Sequence, residues 1–70
     1  MSTMITIKVN GNPERVPSGS SLSDLLDSIG SEGKTVATVV NEQVVRPENR
    51  AAAVLHEDDR VELLVFAGGG

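Results

Sequence analysis

The sequence predicts an α+β fold: a mixed sheet of four to five strands with one main helix packed on one face. Three observations predict it. Met4 to Val9 alternates apolar and polar residues, Leu22, Leu25, Leu26 and Ile29 recur at helical spacing, and Arg60 to Phe66 alternates again ahead of a glycine run. A two-residue period marks a half-buried strand, and the i, i+3, i+4, i+7 pattern marks one stripe of a helix. A single amphipathic helix needs one sheet face to cover its stripe.

The first strand places Ile5, Ile7 and Val9 on one side and Thr6 and Lys8 on the other. Asn10-Gly11-Asn12-Pro13 is dense in turn residues, so a short second strand at 14–16 closes a hairpin. Pro17 to Ser20 reads as a loop. Ser21 followed by Asp24 fits a helix cap, in which the serine oxygen accepts a backbone N–H and the aspartate faces the positive helix end. Gly30 is a natural stop because it can take the left-handed conformation past the last turn. A helix of about eight residues is too short to persist without a sheet beneath it.

Val36 to Val40 is rich in β-branched residues and reads as a third strand. Asn41 to Gln43 turns the chain, and Val44-Val45 is a brief fourth strand. Residues 46–49 break the pattern, 50–55 suggest a helical turn, and His56-Glu57-Asp58-Asp59 reads as a polar turn. In the last strand Val61, Leu63 and Val65 are expected to face the core, which turns Leu64 and Phe66 outward. The first and last strands are the most regular, and they are expected to lie side by side, parallel, in the centre of the sheet. Residues 1–66 are expected to form the domain, and 67–70 a flexible tail.

Composition narrows the function. Ten acidic residues against six basic ones give a net charge of −4, and Phe66 is the single aromatic residue. Nucleic-acid binding needs clustered cations and stacking platforms, so it is disfavoured. With no cysteine, disulfides and thiolate metal sites are excluded, which points to a cytoplasmic setting. The N-terminal segment lacks the charged and apolar regions of a secretory leader, and no apolar run is long enough to span a membrane. A chain of 70 residues leaves no room for an enclosed cofactor cavity, so a self-sufficient enzyme is not expected.

Few side chains suggest chemistry. His56 with Glu57, Asp58 and Asp59 lacks the spacing of a calcium loop and reads as a solvated turn. The glycines at 11 and 19 lack the pattern of a phosphate loop. Ser20, Ser21 and Ser23 read as helix-start residues, and Arg15, Arg46 and Arg60 as solvated surface. What remains is the backbone of Gly68-Gly69-Gly70. Glycine has no Cβ and can thread a narrow channel, and three extended residues reach about 10 Å. Two large apolar residues beside such a stalk, Leu64 and Phe66, suggest a partner-docking patch.

Several segments carry a family likeness: Ile5 to Gly11, Leu22-x-x-Leu25-Leu26, Val40-Asn41-Glu42-Gln43-Val44-Val45, and Asp59-Arg60-Val61-Glu62-Leu63-Leu64 leading to Gly68-Gly69-Gly70. Together they span nearly the whole chain, which resembles the ThiS/MoaD-like family of ubiquitin-like sulfur carriers, most nearly its thiamin-biosynthesis branch. The resemblance implies a ubiquitin-like β-grasp fold and a carrier with no catalytic residue and no metal. It implies that an E1-like, ThiF-like enzyme uses ATP to adenylate the carboxylate of Gly70. A sulfur-donor protein then converts the adenylate to a thiocarboxylate, and a ThiG-like thiazole synthase receives the sulfur. Three alternatives stay open: a carrier for molybdopterin or another sulfur pathway, a non-covalent ubiquitin-like interaction module, and a protein modifier joined through Gly70.

Overall fold

A computed structural model of the chain describes residues 3–30 and 35–65, leaving the side chain of Val36 aside. Seven elements follow in order: β1 (Met4–Val9), β2 (Asn12–Pro17), α1 (Leu22–Ile29), β3 (Thr35–Val40), β4 (Gln43–Val45), a 3-10 helix (Pro47–Ala52) and β5 (Arg60–Val65). They build one five-stranded sheet in the order β2-β1-β5-β3-β4. β1 and β5 are parallel and central, as expected, and the other neighbours are antiparallel.

The first hairpin turns more tightly than the sequence suggests. Asn10 and Gly11 both take positive φ, at 50° and 86°, and the ladder resumes at once with Val9 opposite Asn12. Positive φ at both central residues is the type I′ geometry, whose twist matches that of the flanking strands. β2 therefore runs from Asn12 to Pro17 instead of 14–16. Pro13 and Pro17 fit inside it because β2 is an edge strand, where missing N–H groups leave no central ladder bond broken.

The helix starts and stops where its end signals lie. Ser21 Oγ accepts from the Asp24 N–H at 3.1 Å, and the Ser21 N–H donates to the Asp24 carboxylate at 3.0 Å. Gly30 ends α1 at φ 74°. Leu22, Leu25 and Leu26 are buried with Ile5, Ile7, Val9, Val16, Leu55, Val61 and Leu63 in one core. Ile29, the fourth member of the stripe, lies at the helix end and is 37% exposed. Burial of each leucine contributes about 1.5–3 kcal/mol, which lets eight residues stay helical.

Beyond β4 the order differs from expectation. The helical turn begins at Pro47, within the stretch read as a break, and residues 53–55 are not helical. Arg46 is extended, as a residue before proline prefers, and Pro47 supplies the φ of a first helical position. Residues 53–55 instead run past the start of α1: the Leu22 N–H donates to the Ala53 carbonyl, and the Leu55 N–H to the Ser20 carbonyl, both at 2.8 Å. Arg50 is buried beneath β3, where its Nε–H donates to Thr38 Oγ1 at 3.3 Å. The Thr38 hydroxyl in turn donates to the Val45 carbonyl at 2.7 Å, which links the 3-10 helix, β3 and β4 through one buried polar chain.

β5 spans Arg60–Val65, and Phe66, the end of the predicted strand, lies outside the described residues, as does the tail at 67–70. Val61 and Leu63 face the core as expected, but Val65 is 44% exposed. Parity points Val65 toward the helix side, yet the described core stops short of it.

Candidate functional site

Alternation along β5 decides what the strand shows to a partner. With Val61 and Leu63 buried, Leu64 stands on the opposite face and is 58% exposed. Strand register assembles its neighbours. Ala37 pairs with Leu64, Val39 with Glu62, and Val39 also with Val44, so these residues share the outer face of the sheet. Val44 is 72% exposed, which makes it the most open large apolar side chain among the described residues.

The outer face thus carries an apolar band from Val44 on β4 across β3 to Leu64 on β5. Val39 and Val44 were not singled out in the sequence. The signal existed: Gln43-Val44-Val45 must send one valine outward once it is a strand, but choosing that valine needs the register. At the other end of β5 the same face is charged. Lys8 pairs with Arg60, and these two cations line a shallow depression with Gly11, Glu42, Val61 and Glu62.

The other candidate groups have structural work. The His56 N–H donates to the Asp59 carboxylate at 2.8 Å, and the Thr6 N–H donates to Glu57 Oε1 at 3.1 Å, which ties the polar turn to β1. The His56 ring is solvent-facing and lies 3.9 Å from the Asp59 carboxylate. Among the described residues no three His, Cys, Asp or Glu side chains converge as metal ligands would. Ser21 caps α1, and the Ser20 hydroxyl donates to the Pro17 carbonyl at 2.6 Å. Arg46 pairs with Glu48 on the surface, and Arg15 and Arg60 are exposed. Among the described residues no helix is long and apolar enough to cross a membrane. Of the predicted site residues the structure places Leu64 only. Phe66, Gly68, Gly69 and Gly70 lie outside the described residues.

β5 also receives support from the two hairpin turns. Asn10 Oδ1 accepts from the Leu63 N–H at 2.8 Å, and Asn41 Oδ1 accepts from the Arg60 N–H at 3.0 Å. The strand that leads to the glycine run is thereby held from both flanks.

Comparison with known proteins agrees with this architecture. The chain is 39% identical over 64 residues to a thiazole synthase of Magnetococcus marinus; the matched stretch is 91% of this chain and 20% of that protein, so the chain spans about a fifth of its length. Among solved structures, the thiamine biosynthesis protein ThiS of Geobacter metallireducens superposes with a TM-score of 0.78 at 29% identity, covering 94% of this chain and all of that one. The model of the ThiS family matches residues 7–70, from the middle of β1 through the glycine run. With the ubiquitin-like, helix-on-sheet β-grasp architecture described above, that match makes the chain a member of the ThiS family.

Proposed function

We propose that this chain carries sulfur for formation of the thiamin thiazole, and that its working group is the carboxylate of Gly70. The observation that carries the reading is the family match over residues 7–70, which spans from within β1 through Gly68-Gly69-Gly70. The outward Leu64, only a few residues upstream in β5, supports it as part of a docking surface.

A free carboxylate is a poor acyl donor because it is charged and resonance-stabilised. In the proposed sequence an E1-like, ThiF-like enzyme binds ATP, and a Gly70 carboxylate oxygen attacks the α-phosphorus. Pyrophosphate leaves and an acyl-adenylate forms. Hydrosulfide delivered by a donor protein then attacks the acyl carbon, the acyl–phosphate bond breaks and AMP departs, and the resulting thiocarboxylate passes its sulfur to a ThiG-like thiazole synthase. General acids, bases and oxyanion donors belong to those partners, so the chain itself acts as substrate and not as catalyst. The likeness to a thiazole synthase supports such a partner.

The energetics suit a shuttle. Ordering three tail residues costs roughly 3–6 kcal/mol, so the tail alone binds weakly and the domain face must supply the rest. Leu64→Ala is expected to weaken binding to the activating enzyme about tenfold, as truncation of an interface apolar residue by over 1 kcal/mol does, with little change in melting temperature. Titration calorimetry against that enzyme, paired with thermal melts, checks this.

The decisive experiment incubates the protein with ATP and its ThiF-like enzyme and weighs the product. An AMP adduct, replaced on addition of a sulfur donor by a species with one oxygen exchanged for sulfur, is the expected result. A form lacking Gly70, or amidated at it, should remain folded and take up no AMP. Adenylation of that form would end the proposal.

A further inference from the structure

The pairing of β1 with β5 stops before β5 does. Lys8 pairs with Arg60 and Val9 with Val61, and the chain then leaves β1 at Asn10, whose φ is 50°. The hydrogen bonds up to that point are those of a parallel ladder: the Lys8 N–H donates to the Asp59 carbonyl and the Asn10 N–H to the Val61 carbonyl, both at 2.9 Å. In such a ladder the residue that donates to Val61 also accepts, through its own carbonyl, from the Leu63 N–H. The left-handed turn at Asn10 starts the hairpin instead. Its side-chain oxygen occupies the vacated role, and the Leu63 N–H donates to Asn10 Oδ1 at 2.8 Å.

The other flank of β5 gives weaker support at this end. β3 pairs Ala37 with Leu64 and Thr35 with Val65, and the register shifts between those two pairs. Among the described contacts, Asn10 is thus the last hold on β5 from the β1 side, one residue before the outward Leu64.

We propose that Asn10 is a positioning residue: its carboxamide stands in for the missing strand residue, anchors β5 at Leu63, and so fixes the direction in which the strand presents Leu64 and Val65. The functional half of this inference rests on the sulfur-carrier reading; the anchoring half does not. Without the Oδ1 acceptor, β5 beyond Val61 is held from one side, and a partner must order it during docking. Loss of affinity follows, while chemistry at the partner's active centre is unchanged.

Two variants separate the acceptor from the turn. Asn10→Gly keeps the left-handed backbone and removes the oxygen, whereas Asn10→Asp keeps an oxygen in place. Ser21→Ala, which removes the helix cap, serves as a destabilised control remote from β5. Amide hydrogen exchange at Leu63 in Asn10→Gly is expected to quicken about five- to tenfold beyond any change in the control. The KM of the carrier for adenylation by its ThiF-like enzyme should rise about fivefold at constant kcat. Asn10→Asp should restore both.

Exchange at Leu63 no faster than in the control, or an adenylation KM that does not move, overturns the inference. So does failure of the aspartate to rescue. If the unaltered protein is not adenylated at all, the sulfur-carrier reading falls, and the exchange measurement alone decides the anchor.

Discussion

The two hairpin turns of this sheet use the same device on opposite flanks of one strand. Asn10-Gly11 joins β1 to β2, and Asn41-Glu42 joins β3 to β4. Each begins with an asparagine of left-handed backbone, at φ 50° and 49°, and each asparagine accepts an N–H from β5. The differences are instructive. Asn10 reaches Leu63, a buried residue near the outward end of the strand, whereas Asn41 reaches Arg60 at its exposed beginning. Asn41 also donates through Nδ2 to Asp59 at 2.9 Å, so it fastens the preceding turn as well. In the second turn position, glycine occupies one hairpin, and a glutamate at φ 70° occupies the other. One device therefore serves two ends: at Asn41 it sets where β5 starts, and at Asn10 it sets where β5 departs.

Substitution at the paired positions should resolve this difference by size of effect. The largest change is expected for Asn10→Ala, which strands a partly buried N–H and places alanine in a left-handed backbone; about 2–3 kcal/mol of stability should be lost in urea unfolding. Asn41→Ala carries the same left-handed strain but loses hydrogen bonds that are solvent-exposed, so about 1–2 kcal/mol is expected. Equal losses at the two sites would break the contrast between a buried and an exposed anchor. Gly11→Ala meets no atom within 4 Å, so its cost is backbone strain alone, about 1 kcal/mol. Smallest, and opposite in sign, is Glu42→Gly: relief of the left-handed glutamate, offset by the greater freedom of glycine when unfolded, should stabilise by about 0.5 kcal/mol. A destabilising Glu42→Gly would show that the glutamate makes compensating contacts.

Much of this fold was legible because its signals are local. The alternation in β1, the leucine stripe of α1, the Ser21-Asp24 cap and Gly30 depend on residues within one element. Both terminal strands are regular and apolar on one side, which raises the expectation of a central pair, and the sheet order places them so. What escaped depends on partners far away in sequence. Pro13 reads as part of a turn, and its place at the sheet edge is what admits it to β2. Arg50 carries the expectation of solvent, and its burial follows from Thr38, a residue on another element. Val65 obeys strand parity, but parity does not tell where the covering layer runs out. Asn10 looked like turn chemistry and is that; its amide also supports a residue 53 positions onward, which no short window contains. At the candidate site, the outward face of Leu64 followed from parity, whereas its apolar neighbours Val39 and Val44 required strand register.

The central position of β5 bears on how the molecule is made. Ribosomes release this strand after every other described element, yet it is the one strand that joins the β1–β2 half of the sheet to the β3–β4 half. A lone two-stranded hairpin is marginal in water, so neither half is expected to stand before Arg60–Val65 have emerged. A nascent or clipped chain that lacks those residues has two unconnected hairpins and an uncovered helix, and proteolysis removes such species readily. Any copy that survives in folded form has therefore already acquired the strand from which the glycine run extends.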